Sequence, residues 1–160
     1  MKTIRTLALA GAIASLLGGA ASAQGITIIP SPNPAAPIAS GTVVPPGFTT
    51  YYLSGALPTP VKPAAAGAPA DYGDTATQTR SVLDNLKAVM DKMGIGYGDV
   101  VAAHIFLDPK ADFAAVNKVW SSEFGTAAQP NKPARATVYV HALVAPGALL
   151  EIEFTAAKKK

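Results

Sequence analysis

Arg135 is the residue in this sequence whose type and position most directly suggest chemistry. It follows Pro133, which restrains the backbone, and it precedes the alternating residues 137–143, which predict a strand. A guanidinium held between two restrained segments presents a planar fork that can bind a carboxylate or a phosphate through two hydrogen bonds. The alternative is a surface arginine at the entrance of a strand.

Two other polar residues, Asn117 and Glu151, are candidates for binding or catalysis. Asn117 lies between Phe113 and Trp120 on the predicted sheet-facing side of a helix, where an unpaired amide would cost roughly 1–3 kcal/mol. Its partner is therefore either a ligand or a loop carbonyl. Glu151 lies on the last predicted strand, where a carboxylate either orients a water molecule or is exposed at a sheet edge.

The remaining reactive residues favour few other chemistries. The chain has no cysteine, which excludes disulfides, thiolate metal sites and a cysteine nucleophile. Its two histidines, His104 and His141, are candidate general bases, the alternative being packed or solvated side chains. Two histidines alone do not predict a zinc site or a serine triad. We therefore expect no metal site.

The net charge does not point to a nucleic-acid partner. The formal value is +3, but it includes Lys2 and Arg5 near the N-terminus and the lysines at 158–160. The charges between these ends are nearly balanced. A basic surface that binds nucleic acid is therefore not predicted.

The N-terminus has the pattern of a secretory signal peptide. A basic start is followed by an apolar run from Leu7 to Gly19 and by the small residues Ala21-Ser22-Ala23. The apolar run is shorter than the roughly 20 residues that span a bilayer, although an anchored helix is the alternative. We expect residues 1–23 to be removed, the mature chain to begin at Gln24, and the protein to be periplasmic or secreted without membrane attachment.

The elements that position the polar residues predict one α+β domain, residues 24–160. The chain has 160 residues, of which 49% are hydrophobic, and this is enough for one core. The predicted order is β-α-β-α-β-β, which forms a mixed sheet with two helices on one face. We expect an irregular N-terminal segment at 24–48 and a basic tail at 156–160. The predicted elements are strands near 25–29, 49–53, 99–107, 137–143 and 149–155, and helices near 74–93 and 110–124.

The last predicted strand has two different faces. Leu150, Ile152 and Phe154 point to one side, and Glu151 and Glu153 point to the other, because side chains alternate along a strand. The helices are expected to cover the apolar side. We expect the side with Glu151 and Glu153 to pack against another copy of the chain, in an interface that contains a polar site.

Five segments together resemble the RidA/YjgF enamine/imine deaminase family, also called the endoribonuclease L-PSP family. They are, in chain order, QTRSVLDNLKAVMDKMG, GDVVAAHIFL, DFAAVNKVW, PARATVYV and LLEIEFTAA. The resemblance covers roughly residues 54–157. The combination is specific, whereas any one segment alone would be weak.

The resemblance implies a chorismate-mutase-like fold assembled as a homotrimer, with a central barrel of strands and three sites in clefts between subunits. It implies a deaminase of the 2-iminobutanoate and 2-iminopropanoate type, which hydrolyses 2-imino or enamino acids to 2-oxo acids and ammonia without a cofactor. By this resemblance Arg135 binds the substrate carboxylate and Glu151 helps to place the hydrolytic water. Ser54, Gly55 and Asn117 line the cleft as substrate-binding residues.

Three positions depart from the family pattern. Ala136 stands where many members have serine, Ala56 stands where they have glutamine, and Ile38 lies near the place of a tyrosine. A trimeric module that binds a small carboxylic acid or a partner without turnover is therefore the alternative to a deaminase. Ribonuclease activity is suggested by the second family name, but the sequence has no paired histidines and no aromatic and basic track.

Overall fold

The computed structural model of the chain describes residues 25–62, 68 and 70–160. The predicted signal peptide therefore lies outside the described residues. Within the described ranges, no helix combines the length and the apolar character that crossing a membrane requires.

A six-stranded mixed sheet forms the centre of the fold, with the strand order β1-β2-β5-β4-β6-β3. The strands are β1 Thr27–Pro30, β2 Ala39–Val43, β3 Phe48–Ala56, β4 Val100–Leu107, β5 Ala134–Tyr139 and β6 Leu150–Lys159. Strands β4 and β5 are parallel, whereas β6 is antiparallel to both of its neighbours, β4 and β3. This arrangement brings β5 and β6, which carry the two principal candidate residues, to either side of β4.

Two capped helices cover one face of the sheet: α1, Thr75–Lys92, and α2, Phe113–Trp120. The Asp74 carboxylate accepts a hydrogen bond from the Thr77 amide and begins α1, and Asp112 accepts from two amides at the start of α2. After α1 the chain turns at Gly94, whose φ of +68° favours glycine. The predicted α+β class, with both helices on one face, is confirmed.

The main core lies between the helices and the sheet. Its largest fully buried side chains are Trp120, Phe124, Phe154, Leu83, Leu86 and Met90. The alternation predicted for the last strand is confirmed, because Leu150, Ile152 and Phe154 are buried while Glu151 and Glu153 are only partly buried. The other face of the sheet therefore carries the polar residues.

The strands differ from the sequence prediction at their ends. Strand β5 begins at Ala134, so Arg135 lies within the strand and not in the loop before it. Strand β6 continues to Lys159 because it pairs with β3 as far as Phe48, so most of the predicted tail is strand. In the N-terminal segment, the strand predicted near 25–29 is present as β1, and it pairs with β2, which was not predicted.

The helices also differ in detail from their predicted buried stripes. Helix α2 ends at Trp120, earlier than predicted, and Phe113 at its first turn is 41% exposed. Val89 in α1 and Met93 directly after it are exposed, because the buried stripe runs through Leu83, Leu86 and Met90.

Candidate functional site

Arg135 lies against helix α2, on the face of the sheet that the helices cover. It pairs with Ala103 of β4, whose side chain is buried in the core. The guanidinium carbon lies 4.8 Å from the centroid of the Trp120 ring, within the range of a cation–π contact. Its Nη2 donates a 2.7 Å hydrogen bond to Asn117 Oδ1. The structure thus brings together two of the sequence-predicted site residues, Arg135 and Asn117.

The charge of Arg135 is not neutralised within the described part of the chain. No described carboxylate forms an ion pair with it, and its Nε and Nη1 atoms are buried without a hydrogen-bond acceptor. Burial lowers the pKa of Arg135 to about 10. This value is still well above neutral pH, and the guanidinium therefore remains positively charged. A buried cation without an anion is energetically costly, and binding an anion would offset that cost.

Trp120 packs against the Arg135 guanidinium and is hydrogen-bonded to the N-terminal segment. Its ring is fully buried and stacks on Phe124 at a centroid distance of 4.3 Å. Its Nε1 donates a 2.9 Å hydrogen bond to the carbonyl oxygen of Pro37. The sequence placed Trp120 in the core but did not show that it would stack on Arg135. The spacing from Asn117 to Trp120 could have indicated this contact, because residues three apart on a helix lie on the same side and can contact the same partner.

The segment around Ile38 is fixed beside the Arg135 stack. The Ala39 amide donates to the Pro133 carbonyl oxygen over 3.0 Å, and Lys132 Nζ donates to the Ala36 carbonyl oxygen over 2.8 Å. Ile38 lies between these attachments and follows Pro37, the partner of Trp120. Ile38, which the sequence analysis placed near the tyrosine of the family pattern, therefore lies close to the stack of Arg135 on Trp120.

Ser54, Gly55 and Glu151 form a second group at a β-bulge between β3 and β6. Leu53 pairs with Phe154 and Ala56 pairs with Ile152, so Ser54 and Gly55 both lie opposite Glu153. The Glu151 side chain lies over Gly55, because a Cβ atom added to Gly55 would be 2.8 Å from Glu151 Cδ. The lack of a side chain at position 55 therefore allows the carboxylate to occupy its place.

A shallow open groove of about 260 Å³ lies next to Glu151. The other residues that line it have apolar side chains: Phe106, Val140, Ala142, Leu143 and Val144. Polar backbone atoms are also exposed in the groove. Most of these residues come from the connection between β5 and β6, which the sequence prediction treated only as the end of a strand and a turn.

The two groups of site residues face opposite sides of the same sheet. Arg135 is paired with Ala103, and Glu151 is paired with Phe106, three residues further along β4. Residues an odd number apart on a regular strand point to opposite faces. Arg135 and Glu151 of one protomer therefore cannot both contact one small ligand. Ala136 also faces away from Arg135, because it is paired with His104 on the Glu153 side.

The two histidines lie apart from Arg135. His104 Nδ1 is 2.6 Å from Glu153 Oε1, and both side chains are about half exposed on the face opposite the helices. His141 is exposed in the connection after β5. Within the ranges that the structure describes, no group of three or more histidine and acidic side chains is arranged to hold a metal ion.

Residues 32–158 of the chain match the family described as Endoribonuclease L-PSP. The chain belongs to this family. The match covers most of the chain and includes every residue of the two groups described above, so the resemblance predicted from the five sequence segments is confirmed.

Relatives of this L-PSP family chain include proteins with and without an assigned activity. It is 36% identical over 122 residues to the 3-aminoacrylate deaminase RutC of Acinetobacter baylyi. This alignment covers 76% of this chain and 87% of that protein. It is 39% identical over 87 residues to a RutC family protein of Pyrococcus horikoshii. This alignment covers 54% of this chain and 65% of that protein.

The fold of this L-PSP family chain is found in solved structures. A protein of the conserved Rid family from Yersinia pestis superposes with a TM-score of 0.63 at 22% sequence identity, covering 83% of this chain and 98% of that one. This similarity confirms the predicted fold type.

Proposed function

We propose that this protein hydrolyses reactive 2-imino acids and their enamine tautomers to 2-oxo acids and ammonia. The observation that carries the proposal is the desolvated guanidinium of Arg135, which has two buried donors without acceptors and no carboxylate partner among the described residues. A ligand carboxylate supplies both the charge and the acceptors that this group lacks. The 3-aminoacrylate deaminase RutC, whose name identifies an enamine carboxylate as its substrate, supports the assignment of reaction type.

The reaction requires only a correctly placed water molecule. The protonated imine R–C(=NH₂⁺)–COO⁻ is already electrophilic, and water adds to its carbon to give a carbinolamine. Collapse of this species expels ammonia and leaves R–CO–COO⁻ with NH₄⁺. Arg135 holds the carboxylate and Asn117 holds Arg135, while Glu151 accepts a hydrogen bond from the water and directs it to the carbon.

The active site is proposed to form between copies of the chain. Because Arg135 and Glu151 lie on opposite faces of one sheet, one substrate contacts both only if they come from different protomers. The partly polar face with Glu151 and Glu153 is not covered by the helices and includes exposed Val138 and Tyr52. A homotrimer with three equivalent clefts satisfies both observations, since a heterologous contact repeated around a ring uses two different surfaces of each copy.

We also propose that the protein acts outside the cytoplasm. The support is the pattern of basic, apolar and small residues at positions 1–23. The substrate would then be an imino or enamino acid that arises in the periplasm or outside the cell.

The test is the release of ammonia and 2-oxo acid from an imino acid generated in the assay by an amino acid oxidase. Wild type is expected to accelerate hydrolysis above the spontaneous rate, and Arg135→Ala is expected to lose this acceleration. Arg80→Ala is the matched control, because the charge of Arg80 is already paired with Glu123 and its second donor group bonds Ser122. A wild-type protein that binds 2-oxo acids without accelerating hydrolysis would instead support the binding module.

A further inference from the structure

The groove beside Glu151 has a composition that suits the side chain of a substrate. Five of its six lining residues are apolar, and Val144 among them is 87% exposed. The single charged group in its lining is the Glu151 carboxylate. The groove therefore favours an uncharged, apolar occupant and disfavours a second carboxylate, because like charges repel.

The groove borders Glu151, and in the proposed reaction this position matches one part of the substrate. In the proposed reaction the reacting carbon lies next to the water that Glu151 directs. The substrate carboxylate points away from Glu151 toward Arg135, contributed by another copy. The remaining substituent on the reacting carbon is the substrate side chain. The groove borders the Glu151 carboxylate, so it lies where this side chain can bind.

We propose that the protein prefers 2-imino acids with larger apolar side chains, such as isobutyl or benzyl, over those with a methyl group. The inference rests on the proposed deaminase function and names the substrate class of that site. The groove has a volume of about 260 Å³ and opens to solvent on one side, so it has room for more than a methyl group. Larger side chains cover the apolar lining and displace water from it, and each buried CH₂ adds favourable transfer free energy.

The first experiment compares kcat/KM for imino acids generated from leucine and from alanine, with the spontaneous rate subtracted. The leucine-derived substrate is expected to be favoured by about tenfold or more, the range typical of a hydrophobic pocket that recognises added methylene groups. Equal values, or a preference for the alanine-derived substrate, would overturn the proposal.

A groove variant tests whether the preference arises from the groove. Val144→Asp places a charge among the apolar lining residues, and because Val144 is highly exposed the substitution is compatible with folding. The ratio of kcat/KM between the two substrates is expected to fall at least tenfold. Val89→Asp, at an exposed position on α1, is the matched control and leaves the ratio unchanged. A fall in both rates with an unaltered ratio would contradict the proposal.

Binding of the products separates this inference from the proposed function. Calorimetry is expected to show that 4-methyl-2-oxopentanoate binds at least tenfold more tightly than pyruvate, and that Val144→Asp removes the difference. If wild type shows this preference but has no turnover, the deaminase function is wrong and the groove assignment stands. If wild type is active but binds both acids equally, the groove assignment is wrong and the deaminase function stands.

Discussion

The Arg135 guanidinium is held over the ring of Trp120, with 4.8 Å between the guanidinium carbon and the ring centroid. Trp120 is itself fixed by its hydrogen bond to Pro37 and by its stacking on Phe124. The ring contact partly compensates the positive charge, but it supplies no acceptor for the Nε and Nη1 atoms. Arg135 is therefore held in place but lacks acceptors for two of its donor atoms. Such an arrangement favours ligand binding at the expense of stability.

Replacing Arg135 by methionine is expected to leave the stability of the protein nearly unchanged while abolishing ligand binding. The substitution removes a desolvated cation without an ion-pair partner and retains a long apolar side chain against Trp120. Removal of the desolvated cation offsets the loss of its hydrogen bond to Asn117, so the free energy of unfolding is expected to change by less than about 1 kcal/mol. Urea denaturation measures the stability, and calorimetry with a 2-oxo acid measures the binding.

Arg80→Met provides the control for this experiment. Arg80 forms a partly exposed ion pair with Glu123, so its replacement is expected to change stability by less than about 1 kcal/mol and to leave binding intact. A clear loss of stability in Arg135→Met would show that the guanidinium is a structural group.

Ligand binding at Arg135 is expected to change tryptophan fluorescence. Trp120 is the only tryptophan in the chain, and it contacts the guanidinium directly. Titration with 4-methyl-2-oxopentanoate should alter the emission with the same midpoint as calorimetry. The emission of Arg135→Ala should not respond. A saturable binding isotherm with no change in wild-type emission would place the ligand elsewhere.

Gly55→Ala is expected to reduce turnover more than binding. The added Cβ atom would occupy the space of the Glu151 carboxylate, and the flexible end of that side chain would move away. If Glu151 directs water, kcat should fall by about tenfold to a hundredfold, while the affinity for 2-oxo acids changes little. Gly96→Ala is the control, since a Cβ atom there meets nothing within 4 Å and the backbone is extended. Equal kcat in the two variants would exclude the role of Glu151.

Mixed assemblies are expected to recover activity lost in two inactive variants. Arg135→Ala and Glu151→Gln each remove one half of a site that is shared between copies. After the two proteins are unfolded together and refolded at equal amounts, about a quarter of the shared sites should contain both intact residues. Steady-state rates measure the recovery, and light scattering measures whether the assembly has three times the protomer mass. No activity in a mixed trimer would contradict the shared site.

Export is expected to produce a shorter chain. Cleavage after Ala23 leaves Gln24 at the N-terminus, and intact-mass spectrometry of protein from the periplasmic or extracellular fraction measures this directly. Replacing Ala21 and Ala23 by larger residues should retain the full-length precursor. A full-length wild-type chain that is found in the cytoplasm would contradict the prediction.

Local sequence patterns predicted the elements whose structure depends on short-range periodicity. The apolar spacing and the caps gave α1 nearly to its ends, and alternation placed Glu151 and Glu153 opposite the core. The sequence also identified the family. It named the candidate residues as one site, and the structure divides them into two groups. The start of β5 was missed, because Ala134, Arg135 and Ala136 show no strong strand preference and become strand through pairing with β4.

The relation between Arg135 and Glu151 was decided only by the tertiary structure. The sequence suggested that these residues act together, yet their pairing with Ala103 and Phe106 places them on opposite faces of one sheet. Strand register and the stacking of Arg135 on Trp120 depend on contacts between residues far apart in the chain. Local periodicity carries no information about such contacts, because a shift of one residue in register moves every side chain to the other face.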